Sequence, residues 1–431
     1  MKQTTLTIIG GASAYVPGLV QAMIARAKQL NLKAVRLYDL DQQRLEVVAR
    51  LCNKMAELAE PHFPVTAEPS LSLAIKDADI VLNSSRPGGL ACRRIDETLP
   101  LDFDVPGQET VGPGGFFFAL RSIPAALKLT RKMKQLAPNA LLLNYTNPSN
   151  IVTQAIVDSG FDQVIGLCDQ AYEDLEALSS AMNCKMEPLA FNCLGLNHAS
   201  VYSSIEFNGE PIEVPRAHLD APDFMDQDHR LRFEICQTWA KEHDGLWPNS
   251  YLTYYLQPEA FVKLSKEVGP RADVILKSIP RYYEHFKEES EKRSPELKFF
   301  RGSTGFGDLA VHVLQALAGG LPANLVLNLR NNNATSFFDK DTVIETSAEI
   351  YGTDVRSTCG QAILPDDLRS LLRQLEEYQR ATAAAATAPS NKLLTEALAA
   401  NPLVSSSEIA AKMIHSASEK YGSAIDSFNE S

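Results

Sequence analysis

The sequence lacks any uninterrupted apolar run of membrane-spanning length, and its amino terminus, MKQTTLTIIGG, shows neither the apolar core nor the cleavage site of an export signal. Basic residues are in the minority, since 53 acidic against 41 basic side chains give a formal net charge of -12. Nucleic acid and anionic membrane surfaces require concentrated Lys and Arg. We therefore expect a soluble cytoplasmic protein that binds neither nucleic acid nor a membrane.

Cysteine is sparse, with seven residues in a chain of 431, and the spacing contains neither a CxxC pair nor a zinc-finger pattern. An odd number of cysteines does not fit a closed set of disulfide pairs. Free thiols in a reducing compartment fit the pattern, in agreement with a cytoplasmic location. The sequence thus excludes a disulfide-stabilised secreted domain and a small zinc domain.

Strand patterns alternate with helical patterns along the amino-terminal part of the chain. The alternation predicts an α/β fold with a doubly wound, Rossmann-like parallel sheet. The predicted strands cover residues 5–11, 34–39, 80–85, 140–145 and 164–168, and the predicted helices cover 17–30, 41–60 and 119–136.

The pattern changes after about residue 185. Strand patterns joined by an Asn-Gly turn at 207–210 come first, and helical patterns then dominate to the carboxyl terminus. An alanine-rich stretch at 381–390 is interpreted as a helix end, with a mobile loop as the alternative. We therefore predict a Rossmann-like domain at 1–185 and an α+β domain at 186–431.

Four small residues fill the turn between the first predicted strand and helix: Gly10, Gly11, Ala12 and Ser13. Small side chains let backbone N–H groups and the helix amino terminus approach a pyrophosphate. Asp39 ends the second strand, where a carboxylate accepts hydrogen bonds from ribose hydroxyls and repels a 2′-phosphate. The pattern favours NAD over NADP as the cofactor; the alternative is a tight turn followed by a solvated aspartate.

A dense polar segment follows the third predicted strand. It contains Arg86, Arg93 and Arg94 and a glycine-rich stretch at 106–124. Guanidinium groups form bidentate hydrogen bonds with phosphate or carboxylate, and flexible glycine loops at the carboxyl edge of a parallel sheet suit a ligand site. The segment predicts a site for an anionic small molecule, with a surface of Arg–Asp and Arg–Glu ion pairs as the alternative.

Nine short blocks stand in order along nearly the whole chain. They are GGASAYVPG (10–18), LYDLD (37–41), RIDETLPL (94–101), GQETVGPGG (107–115), NYTNP (144–148), LCD (167–169), GLNH (195–198), PNSYLTYYL (248–256) and PRAD (270–273). Together they resemble glycoside hydrolase family 4, the NAD- and metal-dependent glycosidases. The resemblance implies hydrolysis of O-glycosidic bonds, NAD binding by residues 1–185, and substrate binding, metal binding and oligomerisation by 186–431.

The resemblance also places a divalent metal, usually manganese, on Cys168 and His198. One thiolate and one imidazole by themselves would suggest zinc or a soft metal, so manganese rests on the resemblance alone. Substrate hydroxyls and water would complete a harder coordination sphere. Without the resemblance, the alternative is a buried core thiol and a core histidine with satisfied hydrogen bonds.

The mechanism implied by the resemblance starts with transfer of a hydride from C3 of the sugar to NAD. Tyr251 then removes the proton on C2, and Asp169 protonates the leaving group. Water adds back and the hydride returns, so the net reaction is hydrolysis. An aspartate after the cysteine favours a 6-phospho-α-glucoside. The alternatives are an aromatic helix edge for Tyr251 and a helix N-cap for Asp169.

Four further residues match positions that contact the substrate. Arg93, Asn147 and Arg271 match sugar-binding positions, and Glu109 is expected to contact sugar hydroxyls or the surroundings of the metal. Arg93 or Arg271, together with Ser13, is expected to hold a phosphate. The resemblance further implies a homodimer or homotetramer.

The chain departs from the family pattern at three places. Gln170 and Ala171 replace a hydrophobic residue and a proline, Ala12 replaces a glycine, and the segment 330–334 differs from the usual run. These departures leave the catalytic groups intact but leave the substrate open. A 6-phospho-β-glucoside, a uronide, a galactoside and a sulfonated sugar remain alternatives.

Two other classes of protein share part of the pattern. Lactate- and malate-type 2-hydroxy-acid dehydrogenases also carry a TNP sequence after the fourth strand, but His198 lacks the local signature of their Asp–His general base. A non-catalytic sensor of NAD or sugar would have no need for Cys168, Asp169, His198 and Tyr251 together. Both classes stay as alternatives to the glycosidase.

Overall fold

The computed structural model describes residues 3–184, 189–214, 218–243, 246–298, 301, 306–319, 322–359 and 364–425. The strands are β1 (Thr4–Ile9), β2 (Leu32–Tyr38), β3 (Val65–Ala67), β4 (Ile80–Asn83), β5 (Leu141–Asn144), β6 (Val164–Gly166), β7 (Leu189–Leu196), β8 (Ala199–Phe207), β9 (Glu210–Pro211), β10 (Trp247–Pro248), β11 (Ala323–Arg330), β12 (Val343–Tyr351) and β13 (Asp354–Ser357).

The α-helices are α1 (Val16–Ala25), α2 (Ala27–Leu30), α3 (Gln42–Glu57), α4 (Leu71–Ile75), α5 (Gly89–Thr98), α6 (Gly112–Leu136), α7 (Ser149–Asp158), α8 (Gln170–Ala181), α9 (Gln227–Ala240), α10 (Thr253–Leu256), α11 (Pro258–Val268), α12 (Arg271–Glu291), α13 (Phe306–Leu317), α14 (Asp366–Thr387), α15 (Asn391–Ala399) and α16 (Ser407–Tyr421). Short 3-10 helices span Pro100–Phe103, Ser250–Leu252 and Gly422–Ala424. In the part of the chain that the structure describes, none of these helices is long and apolar enough to cross a membrane.

The described strands form one sheet in the order β10-β8-β7-β12-β11-β6-β5-β4-β1-β2-β3, with β13 beside β12 and β9 beside β8. The six strands from β6 to β3 are parallel and have the order of a Rossmann fold. The strands from β11 to β10 are antiparallel. The predicted fold class, a Rossmann-like sheet with a carboxyl-terminal α+β part, is confirmed.

Both faces of the parallel strands are buried, because neighbouring residues point to opposite sides of a sheet. Val81 and Leu142 belong to one hydrophobic core, and the adjacent Leu82 and Leu143 belong to the other. Helices α6, α7 and α14 pack together on the first side, and α1, α3 and α13 cover the second. The continuous apolar runs of the strands in the sequence follow from this double burial.

The sheet does not stop at the predicted domain boundary. Asn328 of β11 pairs with Gly166 of β6, so the carboxyl-terminal strands extend the parallel sheet directly. A Cβ atom on Gly166 would lie 2.6 Å from the Thr153 hydroxyl oxygen and 2.7 Å from the Asn328 Cβ, which explains the glycine. The domains at 1–185 and 186–431 stay a prediction.

Two predicted helices differ from the observed ones, and a third helix prediction is confirmed. Helix α6 begins at Gly112, seven residues before the predicted start at 119, since Pro113 fits the first turn of a helix. The helix predicted at 17–30 is divided into α1 and α2 at Arg26, whose φ of -123° is not helical. The alanine-rich stretch does end a helix, as predicted, because α14 continues to Thr387.

Candidate active site

The carboxyl ends of β1, β4, β5 and β6 open into one cavity of about 770 Å³. This is the edge at which open α/β sheets bind ligands. Most of the sequence-predicted site residues line the cavity: Gly10, Ala12, Ser13, Asp39, Arg93, Glu109, Asn147, Cys168, Asp169, His198 and Tyr251. The structure therefore brings together residues from both predicted domains.

The glycine turn after β1 is shaped by close backbone contacts. Gly10 has a φ of +88°, and a Cβ atom there would lie 2.9 Å from the backbone of Ser84, so only glycine fits. Gly11 packs behind the turn, where a Cβ would lie 2.8 Å from the Leu37 Cβ, and it does not line the cavity. Gly10 thus forms part of the cavity floor, and Gly11 allows the turn to pack closely against β2 behind that floor.

Asp39 holds the other side of this turn. Its carboxylate accepts hydrogen bonds from the backbone N–H groups of Ala12, at 3.1 Å, and of Asp41, also at 3.1 Å. The carboxylate therefore fixes the loop after β2 against the loop after β1. It also faces the cavity, where it can accept hydrogen bonds from a ligand.

Cys168 and His198 meet although 30 residues separate them. The Cys168 Sγ lies 3.5 Å from the His198 Nε2, and the His198 Nδ1 lies 3.0 Å from the Thr110 hydroxyl oxygen. Burial, and secondly Arg232, lower the pKa of His198 to about 3, so the imidazole is neutral at neutral pH. When the neutral imidazole donates its Nδ1–H to Thr110, the Nε2 atom carries the lone pair and faces the Cys168 sulfur. A metal ligand requires such a free lone pair.

A buried carboxyl lies beneath this pair. Glu345 of β12 is fully buried and accepts hydrogen bonds from the Asn197 side-chain amide at 2.7 Å and the Ser200 hydroxyl at 2.6 Å. Burial raises the pKa of Glu345 to about 7. Because Asn197 precedes His198 in the chain, Glu345 fixes the loop that carries the histidine.

Asp169 stands at the amino terminus of α8, but its side chain makes no helix-capping hydrogen bond. Its carboxyl group instead accepts a hydrogen bond of 3.0 Å from the Tyr145 hydroxyl. Burial, and secondly the nearby charge of Glu173, raise the pKa of Asp169 to about 8. The carboxyl group therefore carries a proton at neutral pH and can act as an acid.

Tyr251 is the tyrosine of its segment that faces the cavity. Its ring stacks on the His198 ring at 4.2 Å, and the Arg232 guanidinium carbon lies 4.5 Å from its centroid. Burial raises the pKa of Tyr251 above its usual value, and the charge of Arg232 offsets only part of this rise. By contrast, the Tyr254 hydroxyl donates to Asp228 outside the cavity.

Arginine side chains gather around one carboxylate at the cavity wall. The Arg93 guanidinium contacts Glu109 at 2.8 Å and Glu97 at 2.7 Å, and Arg86 also pairs with Glu109. Although burial opposes ionisation, Arg86 and Arg93 lower the pKa of Glu109 to about 2. Glu109 is therefore ionised, and the carboxylates of Glu97 and Glu109 balance the guanidinium groups of Arg86 and Arg93.

Arg301 adds a further cation to this wall. Its guanidinium carbon lies 4.8 Å from the centroid of the Tyr15 ring, and within the described residues it has no carboxylate within ion-pair distance. Burial, together with repulsion from Arg86 and Arg93, lowers the pKa of Arg301 although Tyr15 raises it. Such crowding of positive charge is relieved by an anionic ligand.

The glycines expected to form flexible loops are instead tightly packed, so that expectation was wrong. A Cβ on Gly107 would lie 1.8 Å from the Glu97 carbonyl oxygen, and one on Gly114 would lie 2.1 Å from the Gln108 carbonyl oxygen. These glycines allow the backbone of the loop before α6 to approach α5. The loop carries Thr110 to His198 for this reason.

Besides Gly11, the structure leaves one further sequence-predicted residue outside the lining of the main cavity. Arg271 begins α12, contacts Asp226 at 2.7 Å and lines a neighbouring pocket of about 250 Å³. Sequence reasoning also missed four residues of the main cavity wall or its support. Tyr145 ends the predicted strand at 140–145 and Thr110 lies in the GQETVGPGG block, so both were within reach of that reasoning, whereas Arg232 and Arg301 gave no signal of their own.

The fold and the cavity define an α/β enzyme built on a Rossmann-like sheet. Residues 5–184 match the model described as family 4 glycosyl hydrolase, and residues 193–404 match the model of the carboxyl-terminal domain of that family. The chain therefore belongs to family 4 of the glycosyl hydrolases, and it is a glycoside hydrolase. This membership excludes the 2-hydroxy-acid dehydrogenase considered from the sequence.

Two relatives illustrate the range of the similarity. A probable 6-phospho-beta-glucosidase of Bacillus subtilis is 28% identical over 99% of this chain and 98% of its own length. The 6-phospho-alpha-glucosidase 1 of Lacticaseibacillus paracasei is 30% identical over 64% of this chain and 65% of its own length. The relatives thus include enzymes named for both anomers.

Solved structures show the same fold over nearly the whole chain. A 6-phospho-alpha-glucosidase from gut microorganisms, in complex with NAD and Mn2+, has a TM-score of 0.88 at 23% identity and covers 98% of this chain and 99% of its own. A 6-phospho-beta glucosidase from Thermotoga maritima, with manganese, NAD+ and glucose-6-phosphate, has a TM-score of 0.84 at 24% identity over 98% and 99%.

Proposed function

We propose that this enzyme hydrolyses 6-phospho-α-glucosides by NAD-dependent oxidation at C3, deprotonation at C2, elimination of the leaving group and re-addition of water. One observation carries the proposal: a single cavity joins the glycine turn, the Cys168–His198 pair, Asp169 and Tyr251. Most glycosidases use a mechanism with two catalytic carboxylates. That mechanism would not require a cysteine–histidine pair beside a glycine turn of the kind that binds nucleotides.

The turn after β1 fits a dinucleotide. Gly10 and Ser13 line the cavity, and the amino terminus of α1 follows three residues after Ser13. Asp39 faces the cavity with a carboxylate suited to ribose hydroxyls and unsuited to a 2′-phosphate. NAD is the cofactor that these residues would hold, and the solved relative from gut microorganisms was determined with NAD.

Cys168 and His198 fit a divalent metal, because their sulfur and nitrogen converge and Thr110 fixes the imidazole. Two protein ligands leave several positions for hydroxyl oxygens and water, which suits manganese. When bound, NAD would accept and return the hydride of C3 while the metal would polarise the oxygen on that carbon. The solved relatives named with Mn2+ support this choice.

The chain's own residues would move two protons. Tyr251 is positioned by its stack on His198 and by Arg232, whose positive charge favours the phenolate that removes the C2 proton. Asp169 holds its proton at neutral pH and would give it to the leaving oxygen. Tyr145 would hold the Asp169 carboxyl in place during this transfer.

An anionic group on the sugar is supported by Arg301. Arg86 and Arg93 are paired with Glu109, and Arg44 is paired with Asp41. Among the described arginines that line the main cavity, Arg301 is therefore the one without a carboxylate partner. Ser13 lines the same cavity and could donate a further hydrogen bond. We infer that Arg301 and Ser13 receive the 6-phosphate.

We propose the α anomer because Asp169 is present. A 6-phospho-β-glucoside is the second candidate, because the match to a probable 6-phospho-beta-glucosidase spans 98% of the length of that relative. A uronide, a galactoside or a sulfonated sugar would undergo the same reaction if Arg301 accepts another substituent of the sugar in place of the 6-phosphate. We further propose a cytoplasmic homodimer or homotetramer with domains at 1–185 and 186–431. A reducing location suits the seven cysteines, all of which are free.

The test is release of nitrophenol from α- and β-nitrophenyl glucoside 6-phosphates, each with and without NAD and Mn2+ under reducing conditions. We expect cleavage of the α-linked substrate that needs both additives and accumulates no NADH. Cleavage independent of NAD would overturn the mechanism. Cleavage of the β-linked substrate alone would overturn the anomeric assignment, and cleavage of unphosphorylated glucosides at the same rate would overturn the role given to Arg301.

A further inference from the structure

The side chain of Gln108 lies in the loop before α6 and has no role in the proposed reaction, since it does not line the main cavity. Its Oε1 atom accepts hydrogen bonds of 2.8 Å from the Val111 backbone N–H and of 2.8 Å from the Thr110 hydroxyl. The Thr110 backbone N–H donates to the same atom. One oxygen therefore accepts three hydrogen bonds from two neighbouring residues.

These contacts fix the orientation of the Gln108 amide. Backbone N–H groups only donate, so the atom that faces those of Thr110 and Val111 has to be an acceptor. An amide turned the other way would place its NH2 group against two N–H donors. The atom beside the Thr110 hydroxyl is therefore a carbonyl oxygen, which carries no proton.

The Thr110 hydroxyl has only one proton to donate. Its oxygen lies 2.8 Å from the Gln108 Oε1 and 3.0 Å from the His198 Nδ1. Since Oε1 only accepts, the hydroxyl proton is donated to Gln108, and the Thr110 oxygen then accepts a hydrogen bond from Nδ1–H. A neutral imidazole has a single N–H, so the Nε2 atom of His198 keeps its lone pair.

The free Nε2 atom faces the other group of the metal site. It lies 3.5 Å from the Cys168 Sγ, and the stack on Tyr251 at 4.2 Å holds the ring in place. In the opposite tautomer an N–H group would point at the sulfur, and no lone pair would be available there. The position of one proton on the ring therefore decides whether Cys168 and His198 can share a cation.

We propose that Gln108 is a positioning residue: through the Thr110 hydroxyl it keeps the His198 proton on Nδ1 and so keeps Nε2 free for a divalent metal. Without an acceptor at Gln108, the Thr110 hydroxyl can rotate and donate to Nδ1 itself, which moves the ring proton to Nε2. The inference rests on the proposed function, because it takes His198 as a ligand of the metal.

Gln108 also holds the backbone N–H groups of Thr110 and Val111, a structural role that needs the same oxygen. The two roles differ in one respect, because only the control of the tautomer passes through the Thr110 hydroxyl. Thr110→Val removes this hydroxyl and keeps the backbone N–H. Gln108→Met keeps the length of the side chain but offers only a weak sulfur acceptor. Combining the two substitutions therefore separates the roles.

The first measurement is the affinity for Mn2+, with free Mn2+ measured by electron paramagnetic resonance. Gln108→Met and Thr110→Val are each expected to weaken binding by about 10- to 100-fold, the range for loss of a partner that orients a metal-binding histidine. Gln108→Met should have little further effect when Thr110→Val is already present. Gln108→Glu keeps an acceptor oxygen and should keep the wild-type affinity. Gln374→Met, at an exposed position of α14, is the matched control.

The second measurement locates the ring proton in the metal-free protein. Solid-state NMR of protein with histidine labelled by ¹⁵N at Nδ1 distinguishes a protonated from an unprotonated Nδ1, and the His198 signal is the one lost in His198→Asn. The spectra are recorded with Cys168→Ala, so that no thiol proton competes for Nε2. We expect a protonated Nδ1 with Gln108 or with Gln108→Glu, and a fraction of unprotonated Nδ1 in Gln108→Met.

Melting temperature and NAD affinity verify that each variant is folded. A fully protonated Nδ1 in Gln108→Met would overturn the inference and leave the proposed function intact. Equal losses of Mn2+ affinity from Gln108→Met with and without Thr110→Val would also overturn it, since Gln108 would then act through the backbone turn alone. If the wild-type protein does not bind Mn2+, the metal site of the proposed function fails, and the role given to Gln108 fails with it.

Discussion

The sulfur of Cys168, just after β6, lies 3.5 Å from the Nε2 of His198, although two strands, β11 and β12, separate β6 from β7 in the sheet. His198 reaches this position with a φ of +67° in the tight turn between β7 and β8. Non-glycine residues adopt such a conformation rarely. The sheet therefore constrains the backbone so that two groups from distant parts of the chain face one another.

Loss of either group of this pair is expected to abolish metal binding. Cys168→Ser and His198→Asn should weaken Mn2+ binding by roughly 100-fold or more, because two protein ligands cannot be reduced to one without loss of the site. Asparagine is chosen because it tolerates positive φ. The protein is titrated with Mn2+, and electron paramagnetic resonance measures the free Mn2+ at each step. Cys184→Ser is the control. Wild-type Mn2+ affinity in either variant would contradict the assignment.

Tyr251→Phe is expected to reduce turnover by roughly 10²- to 10⁴-fold, the range for loss of a general base. Mn2+ and NAD should still bind, because the ring stack on His198 needs no hydroxyl. Incorporation of solvent deuterium at C2 of the product should fall in parallel. Tyr254→Phe is the control, since the Tyr254 hydroxyl contacts Asp228 instead. Unchanged deuterium incorporation in Tyr251→Phe would exclude Tyr251 as the base.

Arg301→Gln should weaken binding of phosphorylated substrates selectively. A hydrogen bond to a charged group corresponds to roughly 10- to 150-fold in binding, so KM for the glucoside 6-phosphate should rise within that range. The dissociation constant of NAD should change much less. Arg131→Gln, on the exposed side of α6, is the control. If NAD binding weakens while KM stays constant, Arg301 serves the cofactor rather than the sugar phosphate.

Asp39 is expected to set the choice between NAD and NADP. In Asp39→Asn, the repulsion of a 2′-phosphate is removed, so the NAD-to-NADP affinity ratio should fall by about tenfold. The hydrogen bond from Ala12 can be kept by the asparagine oxygen, which preserves the turn. Fluorescence titration with both cofactors gives the ratio directly, and an unchanged ratio would show that another residue excludes NADP.

Glu345 is expected to make stability fall as the pH rises. Its pKa is about 7 in the folded protein and 4.5 for the ordinary group, so between these values the folded chain binds more protons than the unfolded chain. Unfolding free energy should therefore decrease with pH in this window, by up to about 1.4 kcal/mol per pH unit, and level off above it.

Urea unfolding of the metal-free protein at pH 5, 6, 7 and 8 measures this slope. Glu345→Gln cannot ionise and should lose that part of the pH dependence, whereas Glu349→Gln on the same strand should keep it, because Glu349 is paired with Arg356 near the surface. The same slope in Glu345→Gln and in the wild type would mean that other groups cause the pH dependence.

Sequence patterns identified five of the six parallel strands, because these strands have apolar runs. They missed β3, which has three residues, two of them exposed. The start of α6 was missed because its first turn contains glycine and proline, which usually mark loops. In this chain the glycines serve close packing, as the contact between Gly107 and the Glu97 carbonyl shows. Composition alone does not distinguish packed glycines from flexible ones.

The site could be predicted only where a residue follows a strand or matches a family block. Asp39, Cys168 and Asp169 stand at strand ends, where neighbouring positions along the chain already indicate the sheet edge. Arg301 reaches the cavity, and Arg232 reaches the Tyr251 ring, through tertiary packing of segments outside these blocks. Each of these arginines lies far along the chain from the aromatic ring it contacts. No periodicity or motif spacing therefore links them in the sequence.

The pairing of Asn328 with Gly166 has a consequence for how the enzyme can be divided. A fragment ending near residue 184 would keep the whole glycine turn but would leave β6 as an open edge. Open edges invite pairing with other chains, so such a fragment would associate rather than act alone as a cofactor-binding module. A chimera that exchanges carboxyl-terminal halves between relatives would likewise have to preserve the pairing of β6 with β11, because this pairing determines the position of Cys168.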